Sequence, residues 1–246
     1  MSATTPKLKA AVRLAQEIVQ TIYDNRMEPG DKYLSEADGL RRHKVARSTY
    51  REALRFLEIQ GVVNIRAGPG GGPVISQPGW INLASTIALL LQFANAPMRA
   101  VLDARTAIEP GVAELAAQNA TDEEIAAMER DLHGIEVHIG DYKRYLRAYR
   151  QYWDHLAQST HNALLAFLSP ALRSIVESAG FVPNELYRAE TLVRLRRIHA
   201  ALAQHDVQAS REAMHDLELE FLDRLSQGYP RQMERVVAWS DLDVNR

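Results

Sequence analysis

Arg47, Arg51 and Arg55 recur every four residues, the spacing that stacks side chains on one face of a helix. Ser48 and Thr49 stand beside the first of them, and Lys44 lies just upstream. Arginine grips guanine or phosphate, while short hydroxyls and backbone amides bind phosphate oxygens. Together they could read duplex DNA, although three arginines alone also describe a solvated helix face. A second set is aromatic. Tyr145, Tyr149 and Trp153 fall at i, i+4 and i+8, among five aromatics between Tyr142 and Trp153. Such a stripe either fills a core or walls a pocket, and a buried tyrosine needs a partner for its hydroxyl. A third set is the cluster Gly68-Pro69-Gly70-Gly71-Gly72. Phosphate-cradling loops open a helix, whereas here Pro73-Val74-Ile75 continues as strand. Gly70 and Gly71 therefore read as a hairpin tip whose backbone can approach a minor groove. There is no nucleophile elbow, metal triad or paired catalytic carboxylates, which argues against an enzyme.

The elements that must position the arginines are legible. Apolar residues at Ala11, Leu14, Ala15, Ile18 and Ile22 make a helix of Leu8 to Asn25. Glu28-Pro29-Gly30-Asp31 is a turn. Ser35, with Asp38 three residues on, caps a short helix reaching about Arg42. His43 and Lys44 form the next turn. From Ala46 to Gln60, Tyr50, Ala53, Leu54 and Leu57 make an apolar face opposite the arginines, and Gly61 stops the helix. Val62 to Arg66 and Pro73 to Ile75 are two strands joined by the glycine tip. Helix, helix, recognition-type helix and hairpin is the order of a winged helix-turn-helix, in which the second helix of the motif enters the major groove.

The 246 residues are 46% hydrophobic and 24% charged, with no cysteine and a net charge of −2. No disulfide scaffold, thiolate metal site or cysteine nucleophile is available. A polar N-terminus without an apolar signal region, and no stretch long enough to span a bilayer, imply a cytoplasmic protein without a membrane partner. Up to Ser76 twelve Lys and Arg face eight Asp and Glu, +4; beyond it seventeen face twenty-three, −6. That asymmetry fits a nucleic-acid module joined to an acidic domain. The expected division is 1–76 for the DNA-binding domain, 77–82 for a linker, 83–230 for a helical domain and 231–246 for a tail.

Met27-x-Pro29-Gly30-Asp31-x-x-Leu34-Ser35-Glu36, then Val45-x-Arg47-Ser48-Thr49-x-Arg51-Glu52-Ala53-Leu54-Arg55-x-Leu57 and the glycine-rich wing, resemble the DNA-binding domain of GntR-type transcription regulators. The resemblance covers nearly all of 10–75. It implies that Arg47, Ser48, Thr49 and Arg51 contact operator DNA. Ala37 stands where many members carry a DNA-contacting arginine, and Lys44 replaces the usual turn glycine.

Beyond Trp80 the pattern is helical throughout, coarsely 81–94, 97–118, 121–138, 141–160, 162–182, 184–204 and 207–227, with Thr121-x-x-Glu124 as a capping box and Pro170, Pro183 and Pro230 as breaks or starts. The fold expected is mainly α: an N-terminal winged helix-turn-helix followed by an all-α bundle. Val101-Leu102-Asp103-Ala104-Arg105-Thr106-Ala107-Ile108-Glu109-Pro110, Thr160-x-Asn162-x-x-Leu165 and Ile198 to Asp206 resemble the FCD effector domain of the FadR subgroup. Many FCD domains bind a divalent metal through an aspartate and three histidines. Those positions fall here on Tyr149 and Trp153 and on or near Leu195 and Leu217, none a good ligand; His199, His205 and His215 lie close to them in sequence, but His199 is offset by one turn from Leu195, and all three read as surface or structural histidines. The expectation is a domain without metal or other cofactor. Its pocket would be walled by Tyr145, Tyr149, Trp153, Asn162, Leu195 and Leu217, and Arg105 would meet an effector carboxylate or phosphate. The alternative role for Arg105 is a salt bridge with Asp103 or Glu109. The partners implied are a palindromic double-stranded operator, a second copy in a homodimer, and a small organic effector, apolar or aromatic, with a carboxylate or as an acyl-CoA ester. The protein would repress a catabolic operon. Two alternatives stay open: a pocket plugged by its own aromatics with no effector, and a metal-dependent carboxylate sensor using non-standard ligands.

Overall fold

The computed structural model describes residues 6–68 and 71–242. It divides into two compact units between Asn82 and Leu83. In the first, α1 (Pro6–Asp24), α2 (Glu36–His43) and α3 (Arg47–Ile59) are followed by β1 (Val63–Arg66) and β2 (Gly72–Ile75). Leu14, Ala15 and Ile18 of α1 and Tyr50, Ala53, Leu54 and Leu57 of α3 close one core with Tyr33, Val63 and Ile75. The periodic stripes meet as their spacing requires. β1 and β2 pair antiparallel from Val63↔Ile75 to Arg66↔Gly72. Residues 30–33 add a third line of pairing, because Gly30 donates to the Ile75 carbonyl at 2.9 Å and Tyr33 to the Pro73 carbonyl at 2.9 Å. The stretch read as a linker is partly built onto this unit. Asn82 accepts from the Gly79 amide at 3.0 Å and donates to the Ile59 carbonyl at 3.3 Å.

The second unit is helical: α4 (Trp80–Phe93, its first turn in the first unit), α5 (Met98–Asn119), α6 (Asp122–Val137), α7 (Tyr142–Gln158), α8 (Ala163–Ser178), α9 (Glu185–Ala203), α10 (Val207–Gly228) and the one-turn α11 (Pro230–Met233). The caps are local chemistry. Thr121 and Glu124 satisfy each other's backbone amides as a capping box, and Asp141, Asn162, Asn184 and Asp206 cap the helices that follow them. One proline departs from expectation. Pro170 does not break its helix but lies inside α8, where residues 169–176 are all buried. Packing on several sides offsets a proline cost of about 3 kcal/mol.

The expected tail is also built in as far as residue 242. Met98 donates to the Arg235 carbonyl at 2.9 Å, Val237 to the Ala96 carbonyl at 3.1 Å, and Trp239 Nε1 to Ser85 Oγ at 2.7 Å. Among the described residues no helix is long and apolar enough to cross a membrane.

Candidate functional site

The first unit presents α3 with its apolar face inward and Arg47, Ser48, Arg51 and Arg55 exposed on the other, Thr49 being half-buried. Ala46, at the N-cap, makes no side-chain hydrogen bond. The first amides of α3 thus point outward beside the positive end of its dipole, an arrangement suited to a phosphate. Arg47 Nε is held by Glu36 at 3.0 Å, so α2 keeps the residue in place at the head of the helix. Among the described residues neither Arg51 nor Arg55 pairs with a carboxylate. Lys44 closes α2 in the left-handed conformation, φ 52° and ψ 43°, its amide donating to the Leu40 carbonyl. It stays exposed where a glycine would be less strained.

Gly39 and Tyr50 fix how α2 and α3 meet. A methyl group on Gly39 would collide with the Tyr50 ring, and the Tyr50 hydroxyl donates to the Leu34 carbonyl at 3.0 Å. That close approach was not read from the sequence; a glycine within an eight-residue helix was its signal. In the hairpin, Gly71 donates to the Gly68 carbonyl at 2.9 Å, and a side chain there would strike the backbone of Arg66 and Gly68. Gly70 lies outside the described residues.

The second unit holds a cavity of about 330 Å³. Seven aromatic rings reach it, those of Tyr142, Tyr145, Tyr149, Phe181, Tyr187, Phe221 and Tyr229, together with Arg105, Arg173, Arg224 and Glu177. Helices α7, α8, α9 and α10 and the 179–184 loop supply the wall, with Arg105 reaching it from α5. Tyr145 and Tyr149 stack with centroids 5.7 Å apart, and Phe181 meets Tyr229 edge to face at 5.2 Å. Burial keeps these phenols neutral: it pushes Tyr149 up to about 12, against the pull of Arg105, and raises Tyr145 and Tyr187 as well.

Of the residues expected to wall a pocket, Tyr145, Tyr149 and Arg105 do so. Trp153, Leu195 and Leu217 do not. They are core, Trp153 at 1% exposure, packed with Tyr152, Met128 and Leu132, because one helical face of this width must also close the bundle. Asn162 is spent on the amides of Leu164 and Leu165 at the start of α8. Tyr187, Phe181, Phe221 and Tyr229 were missed, since they come from helix ends and a loop that only packing brings to α7.

Arg105 pairs with neither Asp103 nor Glu109. Its guanidinium is bidentate on Glu218 of α10, at 2.6 and 3.3 Å, with its carbon 5.4 Å from the Trp153 ring centre. Burial opposes its charge, but Glu218 and Glu109 more than compensate and raise its pKa. Glu109 accepts from Ser169 Oγ at 3.0 and 3.1 Å. Burial raises its carboxyl to about 7, Arg105 resisting and Glu218 adding to the rise.

The donor set does not fit the metal that the FCD resemblance implies. Tyr149, Trp153, Leu195 and Leu217 offer one phenol and three hydrocarbon or indole side chains, and the described residues contain no group of three or more His, Asp and Glu able to hold an ion. His199 faces Glu129 at 2.9 Å, and His205 Nδ1 lies 2.8 Å from the Ala117 carbonyl oxygen.

A winged helix-turn-helix followed by a helical unit with an aromatic cavity is the architecture of the one-chain DNA-binding regulators. Comparison with known proteins agrees. The FCD domain model matches residues 100–219. The Uxu operon transcriptional regulator of Escherichia coli is 30% identical over 233 residues, covering 87% of this chain and 84% of its own. The E. coli galactonate operon transcriptional repressor is 24% identical, covering 83% and 90%. The solved structure of Streptococcus agalactiae GntR matches the fold with a TM-score of 0.68 at 23% identity, over 87% of this chain and 99% of that one. The chain belongs to the GntR family of transcription regulators, in the FadR subgroup with an FCD domain. It is a regulator and not an enzyme.

Proposed function

We propose that this protein is a ligand-responsive repressor whose two copies bind a palindromic operator and release it when a small organic effector fills the FCD cavity. The observation that carries the DNA half is the exposed row of Arg51 and Arg55 on a helix whose N-terminal amides are uncapped. The cavity supports the sensing half. At about 330 Å³ it has room for roughly ten water-sized groups, a small metabolite and not a whole coenzyme A ester. The names of the relatives attach them to the Uxu and galactonate operons, which supports a catabolic operon as the target.

Pairing with a second copy is supported by α4. No charged residue occurs between Arg66 and Arg99, and α4 turns fully buried Ala84 and Ala88 inward while Leu90 and Phe93 stand 65% and 83% exposed. A helix with small residues inside and large apolar ones outside has an outer face suited to cover. An uncharged face meets its own copy without like-charge repulsion.

Gel-shift titration with duplexes from upstream of the protein's own reading frame tests the reading. Arg51→Ala should weaken specific binding by about 5- to 150-fold, the loss of one good base or phosphate contact. Unchanged affinity at physiological salt would remove α3 as the reading helix. An effector should lower affinity by a similar factor, a coupling on the order of 1–3 kcal/mol.

A further inference from the structure

Glu58 stands at the far end of the arginine row. Positions 47, 51, 55 and 58 fall at i, i+4, i+8 and i+11, one stripe of α3, so an exposed carboxylate ends a face whose other members attract phosphate. By its charge alone it would repel the duplex. Its hydrogen bonding gives it another task. The Ile65 amide of β1 donates to Glu58 Oε1 at 3.0 Å. Ile65 faces Pro73 across the ladder, and the Pro73 carbonyl is turned the other way, to the Tyr33 amide at 2.9 Å. In such a pair both backbone groups point away from each other, so the Ile65 amide lies on the outer edge of the hairpin, and Glu58 satisfies it there.

The hairpin is thus held along both edges. Its inner edge rests on backbone pairing with residues 30–33. Its root is tied to α3 where Val62 donates to the Leu57 carbonyl at 2.9 Å, and beyond the root Glu58 ties β1 to the same helix. The next residue is Arg66. It is exposed, stands opposite Gly72, which has no side chain to cover it, and makes no ion pair among the described residues. Its backbone starts one residue from the end of the arginine row. Resting on the reading of α3 as the helix that meets DNA, we propose that Glu58 is a positioning residue that fixes the hairpin against α3, so that Arg66 meets the same duplex. Operator affinity then depends on Glu58 although its charge opposes binding. A hairpin without this brace has to be ordered at the moment of binding, which costs affinity.

Gel shift of the full chain with duplexes from upstream of its own reading frame separates the brace from the charge. Glu58→Gln removes the charge and keeps an oxygen that accepts the Ile65 proton, whereas Glu58→Ala removes both. Glu58→Gln should bind the operator at least as tightly as the native chain. Glu58→Ala should bind about 5-fold more weakly than Glu58→Gln, the worth of one neutral hydrogen bond. In an Arg66→Ala background the difference between the two should vanish. Hydrogen exchange adds a readout without DNA: the Ile65 amide should exchange about 5-fold faster in Glu58→Ala than in the other two chains. Equal operator affinities of Glu58→Gln and Glu58→Ala overturn the positioning role, whatever the exchange rates. An Ile65 amide that exchanges alike in all three chains overturns the brace itself. A difference that persists in full without the Arg66 side chain overturns the assignment of Arg66. Arg51→Ala, run alongside, keeps these results apart from the reading beneath them. Unchanged binding there removes α3 as the reading helix, whereas weakened binding there with equal affinities of the two Glu58 variants removes the brace alone.

Discussion

Single residues set the DNA-reading head through two backbone facts. Gly39 lies against the Tyr50 ring with no space for a methyl group, so Gly39→Ala must push α2 from α3 or turn Tyr50 out. A loss of about 1–3 kcal/mol in the first unit's stability is expected, read by denaturant unfolding. Operator affinity should fall with it, although Gly39 carries no side chain to contact DNA. Lys44 gives the opposite sign. Its left-handed φ of 52° costs a side-chain-bearing residue on the order of 1 kcal/mol, so Lys44→Gly should raise the melting temperature. It should also weaken DNA binding and reduce the salt slope by about one unit if the lysine meets a phosphate. Both residues were visible in the sequence. Lys44 could be recognised there because a turn position betrays itself by the residue type it lacks. The role of Gly39 could not, because it depends on a ring eleven residues away.

Among the elements, α5 carries the most telling tension. Its inner face brings Arg105 and Glu109 into a bundle otherwise built from Val112, Ala113, Ala116 and Ala117, opposite Glu218 of α10 and Ser169 and Arg173 of α8. Glu109 has a folded-state pKa raised to about 7 from 4.5, so folding favours its protonated form. The stability it confers is whole below about pH 4.5 and is lost as pH rises through about 7. Relative to Glu109→Gln, the native protein should therefore lose up to about 3 kcal/mol of stability between pH 5 and pH 8, measured by urea unfolding across that range. A flat difference would place the carboxylate in a more polar setting than burial implies. The positions of α5 through α10 were legible from periodicity and caps to within a few residues. Their inward charges were not assigned correctly, since Arg105 could pair with a near neighbour on its own helix or with a residue 113 positions on, and sequence spacing favours the near one.

For the whole molecule, the proposed dimer ties the parts together. A single helix-turn-helix reads a short half-site, and two-fold pairing supplies the remaining affinity. Phe93→Asp puts a charge on the uncharged outer face of α4 and against its own image in a second copy. Sedimentation should then show monomer at micromolar concentration, with operator binding weakened and the thermal stability of the chain little changed. Persistence of a dimer would move the interface off α4. The net charge of −2 hides the +4 of the first 76 residues and the −6 of the remainder, and association with DNA depends on the first figure and not on the sum.

Sequence alone determined the order and kind of the elements, the arginine row of α3 and the glycine hairpin. All of these follow from local rules: period, cap, turn chemistry and residue type within a few positions of each other. Only the tertiary structure decided which aromatics wall a cavity and which close the core. Tyr149 and Trp153 are one helical turn apart, yet one faces the cavity and the other is packed into the bundle, and the rings opposite Tyr149 come from α9, α10 and the 179–184 loop. It also decided that Arg105 belongs to Glu218. Burial and counter-charge depend on atoms brought together from distant parts of the chain, and no spacing within one helix encodes them.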